Sequence, residues 1–192
     1  MFLSDVDIKK ALENEEIIID PFKEDQLGVA SYDVTLGSEF EVVDRHQVQA
    51  SDPAKGEYPD TRTFLVKDED HFVLHPGENI LGKQREFIGT DNKHLILLSG
   101  KSSLARVGLV VHNTAMLFNP GHKFYPTFEL VNTSNVPIIL RPGMEIAQLL
   151  FARLTSETSQ QYEKVGRYGR ENSNHFVPKK EITKDKKGIY GK

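Results

Sequence analysis

Three Pro-Gly pairs, Pro76-Gly77, Pro120-Gly121 and Pro142-Gly143, punctuate this chain and constrain its fold more than any other feature. Proline presets φ at the first central position of a turn and glycine accepts a positive φ at the second, which is what a type II turn requires. Around these turns run short stretches rich in Val, Ile, Leu and Phe, at 72–74, 80–83, 94–99, 109–112, 127–132, 137–140 and 146–154. Many short apolar runs bounded by turn residues predict an all-β protein, a distorted β-barrel or jelly roll. Upstream, Tyr32, Val34 and Leu36 alternate with Asp33 and Thr35, and the pattern restarts after Gly37 with Phe40 and Val42, so 32–43 reads as a long strand. A shorter strand is expected at 17–19. A short N-terminal helix is predicted over 4–14, because Ser4 and Asp7 make a capping-box-like start and Ile8, Ala11 and Leu12 share a face. Residues 44–62 carry Pro53, Gly56, Pro59 and many charges, and read as a surface excursion.

With 192 residues the chain can bury one good core, so 1–177 read as a single domain. Residues 178–192 are Lys-rich with Gly188 and Gly191, and read as a flexible C-terminal tail or as a segment that closes over a neighbour's ligand. The formal net charge of −4 argues against a general nucleic-acid partner, which needs a basic face, but leaves room for a local basic pocket. There is no cysteine, which rules out disulfides, thiolate metal sites and cysteine nucleophiles. It also rules out the His-x-Glu and Pro-Cys-x-x-Cys zinc centre of the nucleobase deaminases. The N-terminus carries no apolar signal core and no run reaches the length of a membrane span. A soluble cytoplasmic protein with no membrane partner is the expectation.

The richest stretch chemically is Gly100-Lys101-Ser102-Ser103-Leu104-Ala105-Arg106-Val107-Gly108-Leu109, followed by His112-Asn113-Thr114-Ala115, Asn119-Pro120-Gly121 and Glu129. Glycines free the backbone at both ends, Ser102 or Ser103 can cap a short helix, and Lys101 and Arg106 supply positive charge. An anion such as a polyphosphate suits these residues, although Ser-Ser before Leu-Ala-Arg is also an ordinary helix cap. Glu129 sits in Thr127-Phe128-Glu129-Leu130-Val131-Asn132, where Phe128 and Leu130 fall on one face and Glu129 shares the other with Thr127 and Val131. A carboxylate among apolar neighbours is expected to hold its proton nearer neutral pH and so to suit a general base.

Taken together, Gly-Lys-Ser-Ser-Leu-Ala-Arg-Val-Gly-Leu, His-Asn-Thr-Ala, Asn-Pro-Gly, Phe-Glu-Leu-Val-Asn and Arg-Pro-Gly-Met-Glu-Ile-Ala-Gln-Leu resemble the dCTP deaminase branch of the dUTPase-like superfamily. The resemblance runs from the opening helix to the tyrosines near 168. It implies a homotrimer with active sites between subunits and a zinc-independent hydrolytic deamination of dCTP to dUTP and ammonia. Two alternatives are a dUTP diphosphatase or a bifunctional enzyme that forms dUMP, and a catalytically silent nucleotide-binding regulatory trimer. The resemblance makes Glu129 the acid and base, with Arg106, Ser102 and Ala115 as catalytic partners. It assigns nucleotide contacts to Lys101, Ser103, His112, Thr114, Asn119, Gln148, Tyr162, Arg167 and Tyr168. The ligand would be dCTP, with dUTP and dTTP as further candidates, and a magnesium ion would come bound to the triphosphate. Asp33 lies in a Tyr-Asp-Val-x-Leu-Gly run that implies a fold role near a subunit contact.

The resemblance is broken at a few positions. Where the family carries Asp-Pro-Gly-Phe/Trp-x-Gly, this chain has Asn119-Pro120-Gly121-His122-Lys123-Phe124. The family's Asp grips the sugar 3′-hydroxyl and, in dUTPases, activates the hydrolytic water. Asn119 can hydrogen-bond but cannot be a base, so diphosphate release is expected to be the weaker activity. Met116-Leu117 replace a pair that sometimes includes a phosphate-binding Arg, and Glu171 lies where the family has Gln.

Overall fold

Tyr32–Val43 form the longest strand of the computed structural model, which describes residues 1–44, 50–166 and 168. In chain order the elements are α1 (Asp5–Glu13), β1 (Ile17–Asp20), β2 (Tyr32–Val43), β3 (Thr61–Leu65), β4 (Phe72–Leu74), β5 (Asn79–Gln84), β6 (Phe87–Thr90) and β7 (His94–Gly100). They continue as α2 (Ser102–Arg106), β8 (Leu109–Val110), β9 (Leu117–Phe118), β10 (Lys123–Phe124), β11 (Thr127–Asn132), β12 (Ile138–Leu140), β13 (Glu145–Arg153) and α3 (Tyr162–Val165). The main sheet runs β8-β11-β5-β2-β13-β7-β9, with β3 added beside β2. Smaller sheets, β1-β6-β10 and β12-β4, complete a curled half-barrel.

β2 holds this arrangement because it serves two neighbours in turn. Its first half pairs with β13, Tyr32 opposite Leu149 and Asp33 opposite Gln148. After a register shift between Leu36 and Phe40 it pairs with β5. Thr35, expected on the opposite face, is buried as well, its hydroxyl donating to Glu86 Oε1 at 2.6 Å, while the apolar set Tyr32, Val34, Leu36 and Phe40 is fully buried as its spacing predicts. They pack with Phe128, Leu130, Ile146, Leu149 and Phe151 in one continuous core. Tyr32 keeps its hydroxyl satisfied there, accepting the Lys23 N–H at 2.8 Å.

α1 begins as its sequence predicts. Ser4 is the N-cap and accepts the Asp7 N–H at 3.3 Å, while Ile8 and Ala11 are buried. The three Pro-Gly turns also form as expected, with φ of +75° at Gly77, +73° at Gly121 and +82° at Gly143. Four strands, β3, β6, β9 and β10, lie outside the runs singled out from the sequence, and each is five residues or shorter. β3 falls partly inside the predicted surface excursion. The expected tail at 178–192 lies outside the described residues.

Candidate active site

β11 carries Glu129 into a cavity. Its burial alternates residue by residue, with Phe128, Leu130 and Asn132 in the core and Thr127, Glu129 and Val131 on the opposite, half-buried face. Antiparallel pairing sets Glu129 opposite Leu81 of β5. On its other side β11 pairs with β8, which brings the 111–115 loop past the carboxylate. The Asn113 backbone N–H donates to Glu129 Oε2 at 3.0 Å. A backbone donor on a carboxylate oxygen fixes its rotamer and leaves the other oxygen free to take a proton.

The cavity measures about 250 Å³ and is lined by Glu129 together with Ala115, Asn119, His122, Tyr162 and Tyr168, over a floor that includes Leu81 and Phe124. Five of the residues expected at the site from sequence are therefore brought together: Glu129, Ala115, Asn119, Tyr162 and Tyr168. Thr114 is exposed beside Ala115. His112 is half-buried next to Asn113, and its Nδ1 is buried without a partner among the described residues. Arg167 lies outside the described residues.

The stretch expected from sequence to bind an anion lies elsewhere on the surface of the same chain. α2 spans Ser102–Arg106, and Ser102, Ser103 and Arg106 are all exposed and outside the cavity lining. Neither serine caps this helix: the N-cap residue is Lys101, in extended conformation and with no side-chain cap bond. Lys101 is instead occupied by carboxylates. Its Nζ pairs with Asp33 of β2 and, at 2.5 Å, with Glu145 of β13. Burial works to lower the Lys101 pKa, and the bonds and charges of the two acids outweigh it, leaving the ammonium raised above its ordinary value. Gln148 lies next to this cluster, opposite Asp33 on one side and Ser99 on the other. Gly108, with φ +86°, joins α2 to β8, and a Cβ there would come within 2.8 Å of Ser134. Only glycine fits that bend.

Besides the apolar lining, three residues with hydrogen-bonding side chains line the cavity without having been among the expected site set: His122, Tyr125 and Thr127. His122 is the most unusual. It is 6% exposed, lies face to face with Phe124 at 3.6 Å between ring centroids, and meets the Tyr162 ring at 4.4 Å. Burial lowers its pKa to about 4, against a hydrogen bond to the Tyr168 backbone that raises it. The imidazole is therefore neutral at pH 7.

Among the described residues no group of three or more His, Asp or Glu side chains is placed to hold a metal ion. No helix among them is long and apolar enough to cross a membrane.

This half-barrel is a dUTPase-like fold. It resembles the crystal structure of 2′-deoxycytidine 5′-triphosphate deaminase from Agrobacterium tumefaciens with a TM-score of 0.61 and 18% identity, over 78% of this chain and 47% of that one. At that identity the likeness speaks for the fold alone. Residues 2–154 match the dCTP deaminase-like family model, and the chain belongs to that family. A relative from Tropheryma whipplei strain Twist, named dCTP deaminase, dUMP-forming, is 44% identical over 84% of this chain and 83% of its own. One from Beutenbergia cavernae, with the same name, is 40% identical over 84% of each chain.

Proposed function

We propose that this protein deaminates dCTP and releases diphosphate from the product, forming dUMP. The observation that carries the first step is the Glu129 carboxylate at the wall of an aromatic-lined cavity, one oxygen held by the Asn113 N–H and the other without a partner among the described residues. In this reading Glu129 takes a proton from water and passes it to N3 as the oxygen adds to C4 of the cytosine ring, then carries the proton of the new C4 hydroxyl to the amine, which leaves as ammonia while the C4 carbonyl forms. Ala115, in the cavity lining, and its neighbour Thr114 would orient the water and the base edge through backbone groups. Hydrolysis then cleaves the bond between the α-phosphorus and the bridging oxygen, giving dUMP and diphosphate.

The sequence alone puts dUTP first as the end product, because Asn119 replaces an acid. The relatives named dUMP-forming favour the two-step reaction instead. Magnesium would be carried by the triphosphate, since the described residues offer no cluster for it.

The site is shared between subunits of a homotrimer. Glu129 and the exposed α2 residues Ser102, Ser103 and Arg106 do not line one cavity within a chain. A neighbouring copy that presents α2 to the mouth of the cavity brings the cation and hydroxyls to the phosphates. The reaction is placed in the cytoplasm, where deoxynucleotides are made.

Glu129→Gln tests the assignment. The amide oxygen can still accept the Asn113 N–H, so folding and dCTP binding should survive while ammonia release is lost. Retained turnover would remove Glu129 from the chemistry.

A further inference from the structure

His122 presents a hydrogen-bonding group that no other described residue uses. Its backbone closes the turn around Pro120-Gly121, donating to the Asn119 carbonyl at 3.3 Å, so Asn119 and His122 are the two corners of one turn on the cavity wall. The two ring faces are taken by Phe124 and Tyr162. One ring nitrogen is engaged with the Tyr168 backbone; the other, Nε2, is buried without a partner among the described residues. A backbone carbonyl accepts, so the nitrogen bonded to it, Nδ1, carries the proton and Nε2 is left as a bare lone pair. A buried acceptor without a donor is unfavourable, and in native structures it usually has a reason.

We infer that His122 Nε2 accepts a hydrogen bond from an N–H or O–H group of the bound nucleotide and makes the cavity selective for nucleotides that carry it. This rests on the dCTP reading above and adds a specificity-determining residue to it. Two groups of dCTP have the right chemistry, the sugar 3′-hydroxyl and the exocyclic amine of the base. Nε2 is covered in the structure, so the donor reaches it as the Tyr162 ring, tilted 43° on the imidazole, shifts aside. Tyr162 would thus exchange its place on His122 for one against the nucleotide.

The test measures binding of the α,β-imido triphosphates of deoxycytidine, 2′,3′-dideoxycytidine and deoxyuridine in the full-length protein. A Glu129→Gln background stops deamination and the imido bridge stops diphosphate release. With His122 present, affinity for the deoxycytidine nucleotide should exceed that for the dideoxy form at least tenfold if the sugar is the donor, or that for the deoxyuridine form if the amine is. His122→Phe keeps a ring on Phe124 and Tyr162 but has no acceptor, and should lower that ratio at least fivefold. His122→Gln, with an amide oxygen, should restore part of it. A smaller change in both ratios overturns the inference. A measurement on the protein with His122 intact guards against a misfolded variant: the ¹⁵N resonance of Nε2 should move upfield with the deoxycytidine nucleotide and stay put with the analogue lacking the donor. No movement with any nucleotide that binds also overturns it. Failure to bind any of the three nucleotides would remove the dCTP reading itself, and the inference with it.

Discussion

The Asn113 N–H and the Glu129 carboxylate are joined across the β8-β11 edge by one 3.0 Å hydrogen bond, so the loop and the strand position a single side chain between them. Shortening that side chain by one methylene should break the bond and withdraw the acid from the base. Glu129→Asp is therefore expected to lower kcat for ammonia release by a factor on the order of 100 or more, the range a positioned proton-transfer group contributes. Steady-state kinetics beside a thermal melt checks this: the melting temperature should hardly move.

If the site is shared between subunits, two inactive variants can repair each other. Glu129→Gln and Arg106→Ala should each be nearly inactive as homo-oligomers. Unfolded together and refolded as a mixture, they should regain about a quarter of the wild-type rate, because that fraction of sites pairs an intact Glu129 with an intact Arg106. Activity that stays at the level of the parents would place both residues in one chain's site.

Lys101 separates fold from ligand. Its ammonium already serves Asp33 and Glu145, so it acts first as a brace between β2, β13 and the start of α2. Lys101→Met should destabilise the protein by about 1 kcal/mol, the scale of a partly exposed ion-pair network, while raising KM for dCTP only a few-fold. Arg106→Ala should leave stability unchanged and weaken the nucleotide far more. Denaturation curves and initial rates on the two variants read the split.

Much of this arrangement is legible in the sequence where local pattern and tertiary packing agree. The apolar set Tyr32, Val34, Leu36 and Phe40 is buried as its spacing predicts, while Thr35 between them is buried too because Glu86 accepts its N–H and its hydroxyl. Glu129 could be placed with Thr127 and Val131 by parity alone, since Phe128 and Leu130 fix which face turns inward. The Lys101 brace was hidden because its partners lie 68 and 44 residues away in sequence and meet only when β2 and β13 pair. His122 reads as an ordinary polar turn residue until Phe124 and Tyr162 are brought onto its two faces. The serines of α2 look like caps, and the backbone instead starts the helix one residue earlier, at the braced lysine.

The buried imidazole sets a pH dependence. His122 has its folded pKa lowered from 6.5 to about 4, so below 6.5 the unfolded chain takes up the proton first and stability is lost as pH falls toward 4. At pH 5 the loss from this group is about 2 kcal/mol relative to pH 7.5. His122→Phe removes it. Urea denaturation at the two pH values should show a smaller drop for the variant than for the parent protein, and equal drops would mean that the histidine is not buried neutral.

Asn119 bears on the second step. An amide cannot take a proton from the water that attacks phosphorus, so in the parent protein diphosphate release should be slower than deamination. Asn119→Asp should accelerate diphosphate release at least tenfold and leave ammonia release within a factor of about three. Separate time courses for the two products measure this.

The most direct test of the whole account is to incubate the purified protein with dCTP and magnesium and to quantify ammonia, diphosphate and dUMP in one time course. The account expects one ammonia and one diphosphate for each dCTP consumed, ammonia appearing first and dUMP accumulating as the end product. Diphosphate without ammonia, or tight binding of dCTP with neither product, would contradict it.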